Sequence, residues 1–364
     1  MRIVCFSVWF YDYVIQMANA LSKYADVLLI LPDTLSKDEI EEINENVKFL
    51  SFNFSKRILH PTNILSWLRI KKEIEDFSPD IVHVQVQGLF LCPLLILLKK
   101  YHIIATFHDI APHEGEENIF YRLILIISRL FSDKIIVHGQ NLKKSIIEDF
   151  HVNSEKVFSI PIGEHEVAPF HKRLNATIRE EKNTILFFGR IWKYKGLEYL
   201  IKAEPLITKK IPDAKIIIAG TGEDFTKYQE IMVNKNRFTV YNYRIPYEEG
   251  AILFQRCSVV VLPYIEGSQS GVIPTAYSFK KPVICTDVGS LAEIVENGKT
   301  GLVIPPKDEI SLANSIIYLL ENDEKRKIMG DEGYKKLKSD LSWENISKDL
   351  ICIYNGINNH LQSN

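Results

Sequence analysis

This chain lacks paired cysteines: its five, Cys5, Cys92, Cys257, Cys285 and Cys352, are scattered, odd in number and form no CxxC. Free thiols in a reducing compartment fit that pattern best. An excess of one charge is missing too. Lys plus Arg number 44 against 46 for Asp plus Glu, and a formal net charge of -2 argues against a general nucleic-acid binder. A bilayer-spanning helix needs about 20 apolar residues. The most apolar segment, Leu89 to Leu98, is half that length, so no spanning helix is predicted. The amino terminus opens on the strand-like run Ile3 to Phe6, without a basic region, apolar core and cleavage site, so a cytoplasmic protein is expected.

What is present is enough apolar material for two cores. Over 364 residues, 46% are hydrophobic, which suggests two domains. In the first half, strand-like runs at Ile3 to Phe6, Val27 to Leu31, Val47 to Phe52, Ile81 to Val86, Ile103 to Phe107 and Lys134 to Val137 alternate with helical patterns. Such alternation predicts a parallel, doubly wound α/β sheet. The pattern lapses in a charged, Pro-containing stretch between Ile160 and Asn183, then restarts at Ile185 to Phe188. The predicted division is therefore a first domain over 1–165, a linker over 166–182 and a second domain over 183–344. Two such domains imply a cleft between the carboxyl ends of two sheets, suited to a ligand with two dissimilar halves.

The stretch ILFFGRIWKYKG, Ile185 to Gly196, carries the first chemical signal. A buried strand ends at Gly189, Arg190 and Lys195 sit in the loop, and a helical pattern begins at Leu197. Two cations at the carboxyl end of a strand, beside a helix amino terminus, suit a phosphorylated ligand. The plainer alternative is a pair of solvated loop cations. A dinucleotide fingerprint is not completed: Gly220-Thr221-Gly222 is followed by Phe225 where the third glycine belongs, and the first strand runs into SVWFYDY. Between Leu262 and Pro306 the loop after another strand offers Glu266 to hydroxyl groups and Ser270, Gly271 and Val272 as backbone donors. A second glycine turn, Asp287 to Ser290, precedes Glu293.

Together FFGRIWKYKG, IAGTGE and the region from Leu262 to Pro306 resemble the retaining glycosyltransferases of the GT-B type, glycosyltransferase family 4 in particular. The resemblance spans nearly the whole chain. It implies two Rossmann-like domains facing across a cleft, the second binding a nucleotide sugar and the first the acceptor. Arg190 and Lys195 match the family's diphosphate-binding pair, and Glu266 its first motif acid, near the donor sugar. His108 and Asp109, in ATFHDIAPHEG, match a cleft-facing His-Asp pair, with His108 towards the donor sugar; a structural histidine capping a strand is the alternative. His108, Arg190, Lys195 and Glu266 are the implied catalytic residues. Gly189, Gly220, Gly222, Ser270, Gly271, Val272, Arg244 and Glu293 are expected on the donor side, and Asp109, Trp9 and Tyr11 on the acceptor side. The final helix, 345–364, is expected to pack back on the first domain.

No cofactor or metal is expected. Asp-X-Asp is absent, and a site from His108, His113 and Glu114 is disfavoured because the spacing fits no helical His pair. In two places the chain departs from the family. Pro274 or Thr275 stands where the second motif acid belongs, and Ser7 to Tyr13 puts bulky aromatics where the first loop usually has a glycine pair. Leu89 to Lys100 and Ile119 to Phe131, the latter with Arg122 and Arg129, would lie against an anionic membrane surface or be buried in the core. The function expected is a hexosyltransferase-type enzyme moving a sugar from a nucleotide sugar to a glycan or lipid-linked acceptor, in polysaccharide or glycoconjugate biosynthesis. It would be cytoplasmic or at the inner face of the membrane. A nucleotide-sugar epimerase or hydrolase, and a silent nucleotide-sugar-binding subunit, are the alternatives.

Overall fold

The computed structural model describes residues 1–55, 57–58, 60–112, 119–163 and 177–362. They fall into two compact units, one built from 1–112, 119–163 and 342–362, the other from 177–341.

The amino-terminal unit holds seven parallel strands: β1 (Arg2–Phe6), β2 (Asp26–Pro32), β3 (Val47–Phe52), β4 (Ile81–Gln85), β5 (His102–Phe107), β6 (Lys134–Val137) and β7 (Val157–Ser159). They are ordered β3-β2-β1-β4-β5-β6-β7. β7 has only three residues, too few for a periodicity to show in the sequence. Right-handed crossovers place helices on both faces of the sheet, so the central strands are covered twice and read as continuous apolar runs. In β1 and β4 every residue but Arg2 is buried.

One polar residue in that centre has an assigned place. His83, in the middle of β4, lies with Nδ1 2.6 Å from the Tyr354 hydroxyl and Nε2 2.7 Å from the Thr106 hydroxyl. Burial lowers its pKa from 6.5 to about 3, so the ring is neutral in the fold. Tyr354 belongs to the last helix, Trp343–Gln362, which packs on helix Tyr11–Leu21. The end of the chain is thereby tied to the first unit.

The carboxy-terminal unit holds β8 (Thr184–Phe188), β9 (Lys215–Gly220), β10 (Phe238–Asn242), β11 (Val259–Leu262), β12 (Val283–Thr286) and β13 (Gly301–Ile304). Their order is β10-β9-β8-β11-β12-β13, again all parallel. Its core packs Phe187, Ile218 and Val261 against Leu200 and Ile316 of the covering helices. In each unit the order of strands reverses direction beside the first strand, between β1 and β4 and between β8 and β11. In open α/β sheets ligands bind at the carboxyl ends of the strands beside such a reversal.

Candidate functional site

In the carboxy-terminal unit that place is bordered by the loops after β8 and β11, which backbone contacts stitch together. Gly196 has φ 65°, and a Cβ on it would lie 1.9 Å from the Pro263 carbonyl oxygen. Only glycine meets both conditions. The Ile265 amide donates to the Tyr194 carbonyl at 2.8 Å, so the turn Lys193–Lys195 is set against the start of the β11 loop.

The two cations are held by tyrosines. Lys195 Nζ lies 3.7 Å from the ring centroid of Tyr264 and 5.0 Å from that of Tyr194. Arg190 stacks over the Tyr194 ring at 5.6 Å and donates to its hydroxyl. Both rings are 1% exposed, and a cation over a buried aromatic face is restrained in position while its charge persists. Tyr264 is fixed in turn: its hydroxyl lies 2.9 Å from Ser270 Oγ, and its carbonyl accepts from the Thr286 hydroxyl at 2.7 Å. Sequence reasoning found the cations and missed the tyrosines, although Tyr194 stands directly before Lys195.

The remaining donor-side residues fall in several places. Gly189 continues β8 alongside β9, its amide donating to Ala219 at 2.9 Å. Gly220 faces it so closely that a Cβ would lie 1.7 Å from the Gly189 carbonyl oxygen, and Gly222 is bridged to Ile191. These glycines have a packing task, bringing two loops into contact. Gly271 and Val272 open the helix Val272–Ser278, and the Val272 side chain is the nearest neighbour a Cβ on Gly189 would meet. Glu266 is half-buried in the β11 loop. Glu293 is half-buried on the short helix Leu291–Ile294, whose start is joined to the β11 loop by the Ser290 amide donating to Ser268 at 2.9 Å. Arg244 is exposed after β10, the edge strand, with β9 between it and β8. At the place of the second motif acid, Pro274 and Thr275 are buried, and the Thr275 hydroxyl donates to the Gly271 carbonyl at 2.9 Å.

In the amino-terminal unit, three polar side chains at the ends of β4, β5 and β6 form a chain. His108 Nε2 lies 2.8 Å from Gln85 Oε1, and His108 Nδ1 lies 3.2 Å from His138 Nε2. His138 Nδ1 faces the Ile160 carbonyl at 3.0 Å, which makes that nitrogen the donor. His108 is 1% exposed and Phe10 stacks on it at 3.9 Å, while Tyr13 meets both imidazoles edge-on. Burial raises the Tyr13 pKa, so its phenol stays neutral. Gln85, His138 and Phe10 were not singled out from the sequence; the signal available was a polar residue at or just past a strand end. Asp109 is half-buried beside His108. Trp9 is 43% exposed, and the Tyr11 hydroxyl donates to the Val8 carbonyl at 2.9 Å. His113 and Glu114 lie outside the described residues.

Two family models match the chain: Glycosyltransferase Family 4 over residues 12–163 and Glycosyl transferases group 1 over 171–336. An uncharacterised glycosyltransferase of Methanocaldococcus jannaschii is 26% identical over 96% of this chain and 97% of its own length. The capsular polysaccharide biosynthesis glycosyltransferase CapM of Staphylococcus aureus is 26% identical over 63% of each chain. The Anabaena protein HepE, solved in complex with UDP-glucose, superposes with a TM-score of 0.73 at 15% identity, covering 98% of this chain and 100% of its own.

Proposed function

This chain belongs to glycosyltransferase family 4 and has the GT-B fold, and from that premise we propose the reaction it performs. It transfers a sugar, with retention at the anomeric carbon and without a metal, from a nucleotide sugar to a glycan or lipid-linked acceptor. The route is cell-surface polysaccharide or glycoconjugate biosynthesis, at the cytoplasmic face of a membrane. The observation that carries this reading is the pair Arg190 and Lys195, fixed on Tyr194 and Tyr264 where β8 and β11 part.

Breaking a sugar-phosphate bond leaves the diphosphate with an extra negative charge. A group already in place where that charge develops lowers the barrier, because it need not reorganise during the reaction. Each cation at about 4 Å supplies roughly 4 kcal/mol of gross attraction at an effective dielectric of 20, before desolvation. The tyrosines hold both charges in place beforehand. Glu266, Glu293 and the segment Ser270 to Val272 complete the donor side, with Gly189, Gly220 and Gly222 shaping the loops. Arg244, exposed after the edge strand β10, is assigned to the donor side as well. On the amino-terminal unit we assign His108, held by Gln85 and His138, to the catalytic set, and Asp109, Trp9 and Tyr11 to the acceptor. The HepE complex with UDP-glucose and the part of CapM in capsular polysaccharide synthesis support this choice of donor and pathway.

The test is a panel of UDP-, GDP- and ADP-sugars. One of them should raise the melting temperature of the full chain, since a ligand specific to the folded state stabilises it. Nucleotide release should then depend on added acceptor. Release without acceptor assigns the chain to hydrolysis or epimerisation instead, and stabilisation without turnover makes it a binding subunit.

A further inference from the structure

Helix Ile119–Phe131 turns an apolar stripe to solvent. Ile119 and Leu130 are each 73% exposed, Leu123 44% and Ile126 47%. Steps of four, three and four residues put all four on one face. The opposite face, with Ile124, Leu125 and Ser128, is buried. Leu89 to Lys100 divides differently: Leu91, Cys92, Leu94, Leu95 and Leu98 are in the core, and Ile96 is exposed. The helix within it, Leu91–Leu97, packs between Ile119–Phe131 and Pro61–Phe77. On Pro61–Phe77, Leu65 is 69% and Leu68 55% exposed. These helices are the successive crossovers from β3 to β4, β5 and β6, so right-handed connection puts them on one side of the sheet. Their inner residues Ile70, Leu94 and Ile124 are buried, so their outer residues point the same way.

We propose that this outer face docks the amino-terminal unit onto an anionic lipid bilayer. Single exposed leucines need no explanation, but neighbouring ones on adjacent helices form the kind of patch that marks an interaction surface. The charges choose the occupant. Helix Ile119–Phe131 carries two ionised side chains, both positive: Arg122 is exposed beside the stripe, whereas Arg129 is half-buried over the Phe150 ring at 4.5 Å. Arg69, Lys72 and Lys99 stand exposed on the flanking helices and the turn. Acids gather in the last turn of Pro61–Phe77, where Glu75 is bridged by Lys71 and Lys100. A chain of formal net charge -2 thus collects cations around its outward apolar stripe. Apolar side chains framed by cations are the signature of an interfacial helix on anionic lipid. A symmetric second copy would set the same patch, and the same cations, against itself.

The inference deepens the proposed reaction by saying where a lipid-linked acceptor is met, and it is tested apart from catalysis. The full chain is sedimented with vesicles of phosphatidylcholine plus phosphatidylglycerol, and with phosphatidylcholine alone. Binding is expected with the anionic vesicles and should weaken with salt. The double variant Leu123→Gln, Ile126→Gln should bind them about tenfold or more weakly. Arg122→Gln should lose about fivefold on anionic lipid only. Melting temperature and nucleotide-sugar stabilisation should be unchanged in both variants, so a failed docking surface is distinguishable from a failed donor site. Equal sedimentation with both vesicle types, or by the double variant and the parent, overturns the proposal. A parent that is dimeric in solution and made monomeric by the double variant overturns it too, in favour of a second copy on this face.

Discussion

The two units share the order of strands at their centres and differ in the loop that leaves the first strand. After β8 the chain makes a glycine turn, and Gly196 lets the β11 loop pass at backbone distance. After β1 the corresponding loop is Ser7 to Phe10, and the left-handed residue there is a phenylalanine, Phe10, at φ 56°. One loop brings cations to a crevice; the other lays an aromatic ring over a histidine. Equal topology therefore fixes where a site is built, while the loop decides what chemistry it holds.

Replacing either cation should break the comparison most clearly. Lys195→Ala and Arg190→Ala should each lower turnover at least about a hundredfold, the scale of a lost charge-stabilising donor. Steady-state rates near the parent's in both variants would leave the tyrosine-held pair without a catalytic part. Gly196→Ala comes next. A left-handed alanine costs about 1 to 2 kcal/mol and overpacking about 1 to 3 more. The carboxy-terminal unit should melt several degrees lower, and an unchanged melting temperature would mean the two loops are not in contact.

Acid should separate the units. Residues 177–341 contain no histidine, whereas His83 is buried and neutral in the other unit. Its folded pKa is lowered, so between about 6.5 and about 3 the unfolded state binds the extra proton. Stability is present above that window and is lost as pH falls through it, by up to about 1.4 kcal/mol per pH unit. Denaturant titrations at descending pH, read by tryptophan fluorescence in a Trp192→Phe background so that Trp9, Trp67 and Trp343 report the amino-terminal unit, check this. The smallest effect is expected from Phe10→Gly. It relieves about 1 to 2 kcal/mol of left-handed strain and forfeits a stack of about 0.5 to 1.5 kcal/mol and about 1 kcal/mol of half-buried ring area, so net stability should shift by no more than about 1.5 kcal/mol. Phe10→Val keeps the strain and loses the stack, and should cost more than the glycine variant in the same thermal melt.

Much of the fold was legible because buried parallel strands are written as short apolar runs, such as Val4 to Phe6 and Ile216 to Ala219, with helical patterns between them. The cations were legible as candidates because they stand in a glycine turn between a strand end and a helix start, where solvated loop cations would read the same in sequence. The tyrosines that hold them were not, since Tyr194 and Tyr264 meet Lys195 from two loops about seventy residues apart in the chain. Nor was the partnership of His108 with Gln85 and His138, which are joined only when β4, β5 and β6 lie side by side.

By itself the sequence determined the class of fold, the positions of the described strands other than β7 and which loops carry charge, because these follow from local periodicity and residue type. It left open whether Ile119 to Phe131 is a core helix or a surface one, since an apolar stripe reads the same whichever way it faces. Only the packed structure decided that, by burying Ile124 and Leu125 against the unit's core and leaving Leu123 and Ile126 outside. Orientation of a helix about its axis depends on which of its sides finds a partner, and that partner is supplied by residues far away in the chain.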